Sequence, residues 1–309
     1  VSLAPAPGRA GGPPRCADAA ELRGDAGVGT APPAARWLLL EHPGPWAVDA
    51  VPGSGVDPAV LVPLGAAAAR SATRILLVRR PGRRPAPERR TWLLSGPGLG
   101  TVEGRWRTDA DLVDAVAALG APDPDPVLTG PSAPVLLVCA HGVHDTCCAV
   151  RGRPVAAALD RAHPGLVWEC SHVGGDRFAP NVVVLPDGFY YGGLAPTTAV
   201  ATVAAHLAGR VETAHLRGMS RYPPVQQAAV VAAHEAYGPL AAGAVVVTDA
   251  RSVPATGTAG ARTIVEMRVA GLPDAVRAEV VAERRPPTRL TCRAARDGVA
   301  TEYRVERLG

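Results

Sequence analysis

Lysine is missing from the whole 309-residue chain, so arginine carries all of the positive charge. The formal net charge is only +4, and no dense basic stripe interleaves with aromatic side chains, which removes the electrostatic footprint of a nucleic-acid binder. Also missing is any apolar run approaching the roughly 18–20 residues that cross a bilayer. The opening stretch VSLAPAPGRAGGPPRC has no apolar segment of signal-peptide length, which predicts a cytoplasmic protein with no membrane partner. No flavin or nicotinamide fingerprint occurs, and Gly174-Gly175 lacks the surrounding glycines or lysine of a phosphate loop. Cysteine is scarce, with six in the chain, a density too low for a disulfide framework. Scarce cysteines that cluster point instead to metal or redox chemistry.

They do cluster. Between Val135 and Gly192 lie four of the six cysteines and four of the eight histidines. The first group is Cys139, His141, His144, Cys147 and Cys148; the second is Cys170, His172 and Asp176. Each group follows an apolar, strand-like run. Thiolate and imidazole converging from two neighbouring loops are the donors that metal and iron–sulfur centres use. Cys139 and Cys148 stand too far apart in sequence for a C-x-x-C redox pair. The glycines of His172-Val-Gly-Gly-Asp176 permit a tight turn, and an extended 168–172 would project Cys170 and His172 to one face.

Residues 1–34, rich in Pro, Gly and Ala, read as a loose N-terminal segment. Strands are expected at Arg36–Glu41, Arg74–Arg79 and Thr91–Leu94, with helices over Asp57–Arg70 and Thr108–Leu119. This β-α-β-β-α unit over 35–125 ends at a linker, Gly120–Pro126. The order then repeats over 132–220: strands at Val135–Val138, Leu166–Cys170, Asn181–Leu185 and Phe189–Tyr191, helices at Gly152–His163 and Thr197–Leu207. The parallel suggests a duplicated α/β domain in which the second copy kept its cysteines. Residues 225–309 read as a helix, Val225–Tyr237, followed by strand-like runs of a small antiparallel sheet, Arg289–Arg293 among them. Cys16 is expected to be a free thiol and Cys292 a small core residue. Trp168 and Phe178 read as core, and Asp145 with Arg177 as a candidate ion pair between the two loops.

The patterns C-x-H-G-x-x-D-x-C-C, W-E-C-S-H-x-G-G-D-R-F-A-x-N and L-P-D-G-x-Y-Y-G together resemble the sucrase/ferredoxin-like family. The Cys16 segment and Trp37–Trp46 resemble its bacterial members as well. The resemblance implies a thioredoxin-like [2Fe–2S] ferredoxin domain at 132–220, preceded by a cluster-free thioredoxin-like copy and followed by a small α+β region. It also implies an electron carrier or redox sensor served by a separate redox partner protein. Carried over by position, the cysteine pair falls on Cys139 and Cys148 and the first histidine on His172. The second histidine position falls on Asp176, a departure that leaves the fourth ligand open. Asp176 can ligate through oxygen, Cys147 or Cys170 can supply a third thiolate, or His141 or His144 can approach. Two alternatives stand beside this reading: a structural zinc protein using Cys139, Cys148, His172 and either Cys170 or Asp176, and a cofactor-free interaction module. No facing pair of carboxylates supports glycoside hydrolysis.

Overall fold

The computed structural model describes residues 14–82, 84–121, 133–253 and 262–309; most of the expected 120–126 linker lies outside them. The first apolar run forms β1 (Arg36–Glu41), and Asp57 caps α2 (Pro58–Arg70) by accepting the Ala59 N–H, with Pro58 at the first helical position. β2 (Thr73–Arg79) returns parallel to β1. β3 (Arg90–Gly96) and β4 (Gly100–Trp106) continue as an antiparallel hairpin beside β1. A 3₁₀ turn at Asp109–Leu112 leads into α3 (Val113–Gly120).

The second half repeats this path. β5 (Val135–Cys139), α4 (Thr146–Ala162) and β6 (Val167–Cys170) form a parallel crossover, followed by β7 (Asn181–Leu185), β8 (Phe189–Gly192) and α5 (Pro196–Leu207). Strand order is β2-β1-β3-β4 in one half and β6-β5-β7-β8 in the other, with β9 (Leu216–Met219) added at the edge. β2 and β6 pair antiparallel, Val78 opposite Cys170 and Arg79 opposite Glu169, so one nine-stranded mixed sheet runs through both halves.

Each strand of the central runs is buried on both faces, which is why it reads as continuous apolar sequence rather than alternation. Leu38 and Leu40 face α2 and α3, whereas Leu136 and Val138 face α4. The opposite faces share a core of Trp37, Leu39, Leu76 and Val78 with Leu137, Trp168, Val183 and Tyr190. Gly188 (φ +73°) makes this possible, because a Cβ there would meet the Trp37 ring. In the same motif, the Asp187 carboxylate and the Tyr191 hydroxyl grip the two nitrogens of His206 on α5.

α6 (Pro224–Tyr237) packs between β9 and a separate four-stranded antiparallel sheet of β10 (Val245–Val253), β11 (Arg262–Val269), β12 (Val276–Arg284) and β13 (Thr301–Leu308). Arg289–Arg293, expected as a strand, is instead irregular within the β12–β13 connection. The N-terminal segment contains a helix the sequence reading did not place, α1 (Cys16–Arg23), stopped by Gly24 in the left-handed region. It lies against the 176–178 turn, and Arg151 of α4 pairs with its Asp18 and Glu21.

His234 on α6 is 2% exposed, and neither ring nitrogen has a hydrogen-bond partner. Burial, with His206 adding to it, lowers its pKa from 6.5 to about 4. The unfolded chain therefore binds a proton between those values that the folded chain refuses, so stability falls as pH drops from 6.5 to about 4 and this contribution then levels off. The shift corresponds to about 3 kcal/mol. His234→Phe should flatten that limb, measured as denaturant midpoint against pH; an unchanged slope would remove His234 as its source.

Candidate metal centre

Two chain reversals at the same end of β5 and β6 build the site. Cys139 ends β5, and the chain runs through His141 and His144 to Asp145. Asp145 caps α4 by accepting the Cys147 N–H at 2.8 Å. α4 therefore starts at Thr146, not at Gly152 as the sequence reading placed it, and Cys147 and Cys148 belong to its first turn. Successive helical residues point about 100° apart, so these two neighbours face different surroundings. Cys148 turns toward Cys139, one helical turn before Gly152. At Gly152 a Cβ would overlap the Cys139 carbonyl oxygen; the bare glycine lets α4 lie close enough to β5 for the two thiols to meet.

His172 follows β6, and Asp176 begins the 3₁₀ turn Asp176–Phe178. Sulfur and nitrogen atoms of Cys139, Cys148 and His172 lie within 4.8 Å of one another. Asp176 closes the group, with Oδ1 3.2 Å from Cys148 Sγ and 2.9 Å from His172 Nδ1. Cys139 and Cys148 are fully buried and Asp176 is nearly so. His172 Nδ1 is buried too, and its contact with the carboxylate is an ion pair rather than an aligned hydrogen bond.

The electrostatics bind the four groups together. The Cys148 thiol, acting as donor, holds Cys139 well below the ordinary thiol range and is itself pushed up. Burial alone would lower His172, but the Asp176 carboxylate and the Cys139 sulfur outweigh it and hold the imidazole up at about 9. Burial would raise Asp176, and the His172 charge reverses that, leaving its pKa below the usual carboxylate value.

The remaining histidines separate by their hydrogen bonds. His141 Nε2 donates to the Ala47 carbonyl at 2.8 Å, and its Nδ1 accepts the His172 backbone N–H at 3.3 Å, so both nitrogens are used. His144 donates through Nδ1 to the Val48 carbonyl at 3.4 Å, which leaves Nε2 on the side of Asp176, 3.8 Å from Oδ2. The His144 ring stacks on His172 with centroids 3.8 Å apart, and Trp46 stands edge-on to His141. His144, His172 and Asp176 form a second close donor group. Cys170 sits beside Cys139 in the strand register but outside both groups, and Cys147 belongs to neither.

Sequence reasoning missed the groups that hold the loop. Arg74 of β2 donates to the carbonyls of His172 and Val173, at 2.8 and 2.9 Å. Arg217 of β9, 2% exposed, donates to the Gly174 carbonyl at 3.0 Å and to Asn181 Oδ1 at 2.6 Å. Its guanidinium occupies the space a side chain at Gly175 would take. Burial lowers Arg217 to about 10, still charged at neutral pH. Asn181 completes the brace by donating to the Gly175 carbonyl. The expected Asp145–Arg177 pair does not form: Arg177 pairs with Asp25 at 3.1 Å, and Asp145 spends its oxygens on backbone N–H groups. Trp168 and Phe178 are core residues beneath arginines, Arg80 over the indole and Arg177 over the phenyl ring.

The sucrase/ferredoxin-like family matches this chain over residues 28–218, a span that contains every residue of both donor groups. No curated protein and no solved structure matches it.

Proposed function

The chain belongs to the sucrase/ferredoxin-like family, and from that premise we propose that Cys139, Cys148, His172 and Asp176 hold a [2Fe–2S] cluster on a thioredoxin-like half of the sheet. The observation that carries this reading is the donor set itself: two fully buried cysteine sulfurs and a His172 ring nitrogen lie within 4.8 Å of one another, with the Asp176 carboxylate 2.9 Å from His172 Nδ1. Thiolate with imidazole is a recognised donor set for such clusters. When bound, the cluster supplies a one-electron redox couple, which makes the protein an electron carrier or redox sensor.

The chain's own residues would tune that couple. Two thiolates with one carboxylate and one imidazole carry one negative charge fewer than four thiolates, which favours uptake of an electron. Arg217 and Arg74, fastened to the carbonyls of the same loop, add positive charge nearby. The loop carrying Trp46, Ala47 and Val48 comes from the first half and covers the histidines on one side. His144 and His172 remain 29% and 23% exposed along their side chains, whereas both cysteines are fully buried. Electrons would therefore pass to a separate redox partner protein across the histidine edge.

A second reading is favoured by the compactness of the group. The donor atoms of Cys139, Cys148 and His172, all within 4.8 Å of one another, also suit a single zinc ion. Anaerobic purification separates the two. The cluster reading expects a reddish-brown protein with equal iron and sulfide and an EPR signal on reduction. A colourless protein carrying zinc lost in Cys139→Ser/Cys148→Ser would establish the zinc site instead, and neither metal would leave the cofactor-free alternative.

A further inference from the structure

A second group of cysteines gathers on the other side of the α4 N-terminus. Cys16 opens α1, Cys147 sits in the first turn of α4, and Cys292 lies in the β12–β13 connection. Two of the three, Cys16 and Cys292, fall outside the family match. Their sulfurs form a nearly equilateral triangle: 3.7 Å from Cys16 to Cys147, 3.5 Å from Cys147 to Cys292 and 3.5 Å from Cys292 to Cys16. Cys16 and Cys147 are fully buried and Cys292 is partly so. The Asp145 oxygens stand 3.6 and 3.7 Å from Cys16 Sγ.

These separations match a coordination polyhedron. A tetrahedral zinc ion holds sulfur at about 2.3 Å, so neighbouring sulfurs lie about 3.8 Å apart and a sulfur and a carboxylate oxygen about 3.5 Å apart. An ion about 1 Å out of the sulfur plane would reach all three thiolates at that bond length. A disulfide would need two sulfurs at about 2.0 Å and would leave the third without a partner.

Backbone donors and a carboxylate hold the three segments together. The Cys16 N–H donates to Cys292 Sγ at 3.4 Å, and the Ala17 N–H points at the Cys147 sulfur, so the positive end of α1 faces two of the three. Asp145 accepts the N–H groups of both Cys147 and Cys292, at 2.8 and 2.6 Å, and so holds two of the cysteine-bearing segments in place.

We propose that Cys16, Cys147 and Cys292, with Asp145 as the fourth donor, form a structural zinc site that ties the N-terminal helix and the C-terminal sheet to the start of α4. The site is independent of the cluster group: Cys147 and Cys148 are neighbours in sequence but serve separate centres. Its metal would close two long chain loops at once, the kind of fastening through which zinc contributes directly to folding.

The test is metal content of the full chain, grown with iron and zinc and purified without chelator. Wild type should carry a zinc equivalent that Cys16→Ser/Cys292→Ser loses while keeping the visible absorption of the other centre. Cys139→Ser/Cys148→Ser should keep that zinc and lose the absorption. Cys147 is left unchanged so that the neighbouring Cys148 is undisturbed. Should the first centre hold zinc rather than a cluster, wild type carries two equivalents and each double variant one, so the two readings fail separately. Wild type lacking zinc, or the Cys16/Cys292 variant retaining all of it, overturns the proposal. If that variant does not fold, wild type decides: zinc released during alkylation should appear in step with modification of Cys16, Cys147 and Cys292, and a disulfide among them instead refutes the site.

Discussion

His172→Cys should keep a [2Fe–2S] cluster and lower its midpoint potential by on the order of 100 mV or more. The sign follows from charge. Cysteine binds iron as an anion and imidazole as a neutral ligand, so the exchange adds one negative charge and makes the added electron less welcome. The size follows from the gap between histidine-bearing and all-thiolate plant-type clusters, which spans hundreds of millivolts. The geometry allows the exchange, since Arg74 holds the backbone of residue 172 through its carbonyl, independently of the side chain. A redox titration of the visible spectrum reads the result. A cluster retained at the wild-type potential would show that His172 is not a ligand.

Gly152→Ala should reduce bound iron several-fold. Alanine ordinarily gains about 1 kcal/mol over glycine inside a helix. Here its methyl group would enter the Cys139 carbonyl oxygen, a main-chain atom at the end of a fully buried strand that cannot step aside. Overpacking of this kind costs roughly 1–3 kcal/mol, enough to outweigh the helical gain. The cheapest relief is to tilt α4 away from β5, which carries Cys148 away from Cys139. Gly65→Ala is the control: it sits in α2 with open space where its Cβ would go and should keep iron at the wild-type level. Full iron in Gly152→Ala would mean that close packing of α4 on β5 does not set the thiol pair.

The elements legible in sequence were those whose burial is two-sided or whose ends carry caps. Trp37–Leu40 and Val135–Val138 needed only their unbroken apolar runs, and Asp57-Pro58 announced α2. β4 escaped because glycines and charges interrupt it; Gly104 is there to admit the Trp92 ring. β9 escaped because its buried arginine, Arg217, reads as a surface residue until the carbonyls it serves are in view. The start of α4 was misplaced because two cysteines looked like loop residues, although Asp145 was a usable N-cap signal. Within the site, Cys139, Cys148, His172 and Asp176 were legible by spacing and resemblance. What spacing could not show was that His141 is occupied at both nitrogens, or that Cys16 and Cys292, 276 positions apart, stand together beside Cys147.

The antiparallel seam of β2 with β6 has a consequence for anyone cutting this chain into smaller pieces. A fragment beginning near residue 132 would keep all four proposed cluster ligands. It would lose Arg74, which grips the ligand loop, and the carbonyls of Ala47 and Val48, which orient two imidazoles. It would also bare the β6 edge to unwanted strand pairing. The smallest portable version of the centre therefore includes the half that contributes no ligand.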